Sequence, residues 1–338
     1  MKNTDSEAKV ASEKDDARSD AEILAQAEQY LKEDRLNDAL LEFRKVKDTS
    51  LFTAMHNEGV RKGIYIEEVY KKLESPASEG WTKQGESHGH RDFITYYKVE
   101  SGGKLWCRIE SVIEASLYVP LLAVLNETDL YETWFPKWSF PHLGIQQSKK
   151  IKQAGRVEQL VQLTVDLPFP LNKREIMFWG FADDDSASER RVGAKLLNVD
   201  ESFEYHDIPA ADKGVTRMDF VADFLFRQCP EDHPALAKSK QEYPEGEKKI
   251  LVTFVLFCDP KIGWVPHFFQ NFCTRIAIGT VWKMLLGIAE DVREGKRKEH
   301  ADLIMSKREE LYDWVEERAE AITGVQKTLS KNDLSLQS

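Results

Sequence analysis

A metal ion would first be sought at two places in this sequence: the histidine pair His88 and His90, and the carboxylate run Asp183, Asp184 and Asp185. On an extended segment His88 and His90 point to one side, as two imidazole ligands must. Gly85, Ser87 and Gly89 around them spell a polar turn instead, and no metal is expected there. The three aspartates fall at a strand end, where a solvated turn accounts for them better than a calcium site does. Cys107, Cys229, Cys258 and Cys273 share no metal-ligand spacing and are expected to be reduced, small apolar groups. A phosphate-cradling glycine loop, a Gly-x-Ser-x-Gly elbow and a His-Glu-x-x-His helix are all absent. Two basic clusters could approach an anionic membrane, each well-placed charge contributing about 1 kcal/mol: Lys149, Lys150, Lys152 and Arg156, and Arg293, Lys296, Arg297 and Lys298. Most such runs are solvated faces. The residues name no catalytic group, no metal and no cofactor, so the chemistry they support is binding.

The binding signal is apolar and periodic. Val157, Gln159, Val161, Leu163 and Val165 alternate along one strand face, with Glu158, Gln162, Thr164 and Asp166 on the other. Ile176, Phe178, Gly180 and Ala182 form an inward face by the same rule, while Met177, Trp179 and Phe181 opposite are too apolar for water, so both faces of that strand should be covered. Met218, Phe220, Ala222, Phe224 and Phe226 make a cleaner stripe, opposed by Asp219, Asp223 and Arg227. Late in the chain Phe269, Thr274, Ile278, Val281 and Leu285 share one helix face, but Phe268, Phe272, Ile276, Trp282 and Leu286 are equally apolar, so the facing is ambiguous. For any one of these residues core packing is a better account than a cavity, and it is the constellation that carries the cavity reading.

The elements that would position these stripes follow from pattern and punctuation. Ala21 to Asp48 reads as a helical hairpin with its turn at Glu33 to Arg35; it looks like a single tetratricopeptide-style pair, but such an array needs about three repeats to stand alone, and helices that merely pack against the following domain are the better reading. A third helix, Leu51 to Leu73, ends before Ser75-Pro76, where the domain boundary is placed. Three strands follow (Trp81 to Gly85, Asp92 to Val99, Lys104 to Ile113), then short helices from Leu117 to Trp134. Six more strands lie at Gly144 to Lys152, Arg156 to Asp166, Glu175 to Ala182, Arg191 to Phe203, Thr216 to Arg227 and Lys249 to Asp259. Pro266 suits the first turn of a long apolar helix running to Val292. A further amphipathic helix, Lys296 to Thr323, carries Leu303, Ile304, Leu311, Val315 and Ile322. A curved sheet packed only on itself would waste one face, so the apolar helix is its natural occupant, and a helix across a curved sheet leaves a cavity.

Bulk properties agree. The 338 residues carry 58 acidic and 47 basic side chains for a net charge of −11, which argues against nucleic acid as main partner. No apolar run reaches the ~18 residues of a membrane span, and Met1 to Asp20 lacks the core of a signal peptide, so a cytoplasmic location is expected.

This order of elements and several local sequences resemble the START lipid-transfer family over about Trp81 to Glu294. Asp259, Lys261, Gly263, Trp264, Pro266 and Asn271 are similar to its Asp-Lys-Gly-Trp-x-Pro passage into the gating helix and the asparagine that follows, with Ile262 interposed. Leu167 to Leu171 with Lys173, Arg174, Glu175 and Ile176 resembles its proline-rich loop, glutamate standing for aspartate. Trp134 resembles its Trp-Asp without the aspartate. The resemblance implies an α+β helix-grip fold: a curved antiparallel sheet of about nine strands around a long C-terminal helix, with an N-terminal helical extension. It divides the chain into a disordered acidic tail (1–20), a helical extension (21–75), a START-like lipid-binding domain (76–295), a C-terminal amphipathic helix (296–325) and a disordered tail (326–338). The family's sterol branch holds an intracavity ion pair, and counting from Arg174 the corresponding positions are Val161 and Gly180, neither charged.

The resemblance and the stripes together imply one hydrophobic lipid, transferred between membranes or sensed, in a cavity gated by the 167–171 loop and the long helix. Its wall and gate are expected from Val161, Leu163, Phe169, Phe178, Gly180, Phe220, Phe224, Phe269, Ile278, Val281 and Leu285. Expected contacts are the lipid, a membrane surface in passing, and a protein partner through the terminal helices. Alternatives are a helix-grip enzyme on a hydrophobic substrate, marked by polar groups converging in the pocket, or a scaffold with a filled, vestigial interior.

Overall fold

The computed structural model describes residues 18–101, 104–139, 142–167, 173–240, 246–261 and 278–324. The chain divides into two compact units, Met1–Glu68 and Val69–Ser338.

In the first unit, α1 (Asp20–Lys32) and α2 (Leu36–Phe43) form the expected hairpin, and α3 (Ala54–Glu74) begins after a short 3-10 turn. Ser19 and Glu22 make a reciprocal capping box that starts α1. Asp34 takes a left-handed φ of 61° in the turn, a conformation that Asp tolerates better than most residues. Ile23, Leu24, Ala27, Ala39, Phe43 and Val46 are its core. At Gly63 a Cβ would lie 2.6 Å from the Leu40 Cβ, so only glycine allows that approach of α3 to α2.

In the second unit the strands are β1 (Thr82–His88), β2 (Asp92–Val99), β3 (Leu105–Glu114), β4 (Trp138–Ser139), β5 (His142–Gly155), β6 (Glu158–Asp166), β7 (Arg174–Asp185), β8 (Arg191–Asn198), β9 (Thr216–Arg217), β10 (Asp219–Gln228) and β11 (Lys249–Asp259). They form one sheet ordered β1-β2-β3-β11-β10-β8-β7-β6-β5-β4, with β9 beside β7. Nine of the strands are long, as the sequence pattern predicts, and the other two have two residues each. The long strands pair antiparallel, and β3 meets β11 across most of the domain's sequence. Three register shifts along β5 bend that strand.

The described α-helices of the unit are α4 (Tyr118–Asn126), α5 (Tyr131–Trp134), α6 (Ile278–Arg293), α7 (Lys298–Ser306) and α8 (Asp313–Thr323). The sheet curves around α6 in the helix-grip arrangement. Trp282, Leu285, Leu286, Ala289 and Val292 of α6 join Ile109, Ile113, Phe224, Phe226, Ile250 and Val252 of the sheet and Leu121 and Val124 of α4 in one core. The Trp282 ring stacks on Phe254, with centroids 5.9 Å apart. Arg91 at the start of β2 pairs with Glu290 of α6 and with Glu114 of β3, pinning the end of the helix to the sheet.

The last turns of α3, within the second unit, are bound to the sheet: the Tyr70 hydroxyl donates to Asp183, and Lys72 Nζ lies 2.7 Å from Asp223. Two expectations change. Asp183, Asp184 and Asp185 are buried rather than solvated. Tyr70 serves the first, Arg318 Nε donates to the second over 2.7 Å and Arg191 Nε to the third over 2.8 Å. The helix expected over Lys296 to Thr323 is three pieces, α7 and α8 joined by a π-helical turn, Arg308–Tyr312.

The outer face of β7 is covered as predicted. Trp179 packs against Phe203 (5.0 Å between centroids) and Tyr205 (5.9 Å), and its indole N–H donates to Glu158.

Candidate ligand cavity

Alternation along β6, β7, β8, β10 and β11 turns one row of apolar side chains from each strand toward α6, and the space between is not filled. A cavity of about 870 Å³ remains, near the upper end of the roughly 300–1,000 Å³ typical of ligand pockets. The inward stripe of β10 borders it at Met218, Phe220, Ala222, Phe224 and Phe226, and the stripe of β7 at Ile176, Phe178, Gly180 and Ala182.

The ambiguous facing of the long helix is resolved for its described part. Ile278, Val281, Trp282 and Leu285, spaced i, i+3, i+4 and i+7, border the cavity, while Leu286, Ile288, Ala289 and Val292 are buried in the core.

Of the residues expected to form the wall, Leu163, Phe178, Gly180, Phe220, Phe224, Ile278, Val281 and Leu285 border this one space. Val161 does not. It is fully buried in one apolar cluster with Ile145, Leu163 and Phe178 and lies opposite Phe178 across the β6–β7 pair, so it packs within the wall. Phe169 and Phe269, the remainder of the 167–171 loop after Leu167, and the long helix before Ile278 lie outside the described residues.

Sequence reasoning missed two parts of the wall. Leu311, Tyr312, Trp314 and Val315 of the C-terminal segment border the cavity, although that segment reads as an appendage. Its apolar face was visible in Leu311 and Val315, but amphipathicity does not say what lies opposite. The other part is polar. Asn126, Thr128 and Gln159 stand together at the wall: Gln159 Nε2 donates to the Asn126 carbonyl (3.1 Å) and to Asn126 Oδ1 (2.5 Å), and Thr128 Oγ1 lies 3.5 Å from Gln159 Oε1.

Behind them Glu127 is 4% exposed and accepts from Tyr312 Oη (2.6 Å), Lys307 Nζ (2.6 Å) and Asn126 Nδ2 (3.1 Å). Burial works to raise the Glu127 pKa, but these hydrogen bonds and the Lys307 charge outweigh it and hold the carboxyl below its ordinary value. The buried indole N–H groups of Trp134 and Trp282, both of wall residues, have no acceptor among the described residues.

Among the described wall residues the charged side chains are Lys104 and Asp259, where β3 begins and β11 ends. Burial lifts the Cys107 thiol in the wall to about 11, an unreactive thiol. In the basic clusters Lys296 pairs with Glu294 and Arg297 with Asp291, Arg293 donates to Ser116, and Arg156 lies over the Trp314 ring. No described helix is long and apolar enough to cross a membrane.

No family model matches the chain, and no curated protein matches it. Among solved structures, the chain is similar to human STARD10 at 14% identity, covering 69% of this chain and 81% of that one with a TM-score of 0.48. It is also similar to human StAR-related lipid transfer protein 5 at 10% identity, covering 69% and 96% with a TM-score of 0.44. A STAR-related lipid transfer protein from Xanthomonas axonopodis is similar at 17% identity, covering 63% and 99% with a TM-score of 0.43.

Proposed function

We propose that this chain binds one hydrophobic lipid in the cavity between sheet and α6, and carries it between membranes or senses it. The observation that carries the reading is the cavity itself: about 870 Å³ of space walled by leucine, valine, isoleucine and phenylalanine. Removing a methylene from water contributes about 0.8 kcal/mol, so such a wall supplies affinity without a catalytic group. A scaffold with a vestigial interior would instead have filled that space, as cores do.

The experiment is uptake of a pyrene-labelled lipid from liposomes, with recovery of protein free of vesicles. Uptake should saturate at one lipid per chain, and transfer to acceptor liposomes should depend on protein concentration. Failure of the chain to take up any of a phospholipid, a diacylglycerol, a sterol or a ceramide probe would remove the proposal.

A further inference from the structure

The cavity has two ends, and one of them is closed by a segment beyond the reach of the START resemblance, which stops near Glu294. Along β10 the bordering side chains run from Met218 to Phe226, and along β7 from Ile176 to Ala182. The space therefore extends about 27 Å, the rise of eight residues in a strand. Leu167, Asp259 and Pro260 border it at the end where β7 and β10 begin. At the end where those strands finish, Leu311, Tyr312, Trp314 and Val315 border it, and Arg318 pairs with Asp184 of β7.

The attachment of this terminal segment differs from that of the strands. The long strands of the wall are joined by backbone ladders, which would have to break together for the wall to part there. From Lys296 to Gly324 the described backbone hydrogen bonds stay inside the segment or return to Asp291 of α6, so side chains fasten it to the sheet and to α4. Its described polar anchors are Tyr312 and Lys307 on Glu127, and Arg318 on Asp184. Trp314 has the Arg318 guanidinium 4.2 Å from its ring centre and that of Arg156, in the β5–β6 turn, at 5.3 Å. Leu311, Tyr312, Val315 and Ile322 are buried, which makes the closed form the resting one. Gly295, with a left-handed φ of 72° and no atom within 4 Å of where a Cβ would stand, gives the segment a joint of its own after α6.

Resting on the lipid-binding reading above, we propose that the segment from Lys296 to Thr323 is a second door to the cavity, hinged at Gly295 and latched on Glu127 and Asp184, past which lipid enters and leaves. Opening it breaks side-chain contacts and no strand ladder. Loosening a door speeds passage in both directions and leaves affinity alone, because the closed form is restored in the empty and the filled chain alike. Loosening a fixed wall that touches the lipid would change release and affinity together.

The test measures uptake and release rates on the full chain by stopped flow. The probe is whichever pyrene-labelled lipid the unaltered chain takes up fastest from a phospholipid, a diacylglycerol, a sterol and a ceramide. Tyr312→Phe keeps the ring in the wall and removes its bond to Glu127, and Arg318→Gln releases the separate anchor on Asp184. Tyr70→Phe, which loses a hydrogen bond to Asp183, controls for general loosening. Both latch variants should take up and release the probe about tenfold faster with affinity held within about twofold, while Tyr70→Phe matches the unaltered chain. Release quickened with an equal loss of affinity, rates unchanged in either latch variant, or rates raised as much by Tyr70→Phe would overturn the door and leave lipid binding standing. Uptake of none of the four probes by the unaltered chain would count against lipid binding itself.

Discussion

The Tyr312 hydroxyl donates to Glu127 Oε1 over 2.6 Å, joining the C-terminal segment to the residue that follows α4, 185 positions earlier. Lys307 Nζ reaches Oε2 of the same carboxylate, also at 2.6 Å. Both donors flank or lie in the π-helical turn Arg308–Tyr312, a geometry that often marks a functional position. The wider turn places Leu311 and Tyr312 against the cavity, so the pair secures part of the wall.

Replacing Glu127 with Ala should therefore loosen the terminal segment more than the sheet. The loss is about 2 kcal/mol, reduced from that of a fully buried pair because Lys307 remains 28% exposed. Hydrogen exchange should accelerate across α7 and α8 and stay slow in β10 and β11. Uniform acceleration would mean the contact is not local.

Acid should act on the same segment. His300 in α7 is 1% exposed, and burial, aided by the Arg297 charge, holds its pKa below the ordinary value of 6.5. Its folded pKa is depressed, so its contribution is full above 6.5 and is lost as pH falls toward the folded value. Glu127, also depressed, contributes fully above 4.5 and is lost at lower pH still. Thermal unfolding should show stability declining below about pH 6.5, with a second decline below about 4.5. His300→Gln should remove the first decline and keep the second.

Asp223 is fully buried on β10, between Lys72 at 2.7 Å and Lys195 at 2.8 Å. Asp223→Ala leaves Lys195, itself 6% exposed, buried beside no matching charge from that residue. It should cost about 3–5 kcal/mol in chemical denaturation. Asp223→Ala with Lys195→Met should recover part of that loss, and a double variant as unstable as the single would count against the ion pair.

Gly193 on β8 faces the Tyr70 ring, and a Cβ there would come within 2.8 Å of Cε1. Gly193→Ala must displace the ring and with it the Tyr70 to Asp183 hydrogen bond, so a loss of about 1–3 kcal/mol is expected in thermal unfolding. Tyr70→Phe combined with Gly193→Ala should add little to the single change, since both act on one contact.

Local pattern carried far in this chain, and long-range pairing did not. The strands Asp92–Val99 and Lys249–Asp259 end where the sequence reading places them, because turn residues bracket each apolar run. The β10 stripe faces inward as alternation requires. Asp183, Asp184 and Asp185 read as solvated because their partners, Tyr70, Arg318 and Arg191, lie up to 134 positions away or follow a turn. The same limit hid the terminal segment. The spacing of Leu311 and Val315 shows an apolar face, but not that a cavity lies under it. Val161 marks the finer limit: period two gives the face of a residue, and whether it borders a cavity or packs depends on neighbours from other strands such as Phe178.

The central claim is that the cavity holds one lipid, and native mass spectrometry of chain purified from a lipid-rich host, with organic extraction, tests it most directly. The account predicts a single co-purifying lipid per chain, lost in Val281→Trp, whose larger ring enters the space that Val281 borders at little cost to the fold. A chain that emerges empty and stays empty after incubation with mixed liposomes, or a Val281→Trp variant that keeps its lipid undiminished, would contradict it.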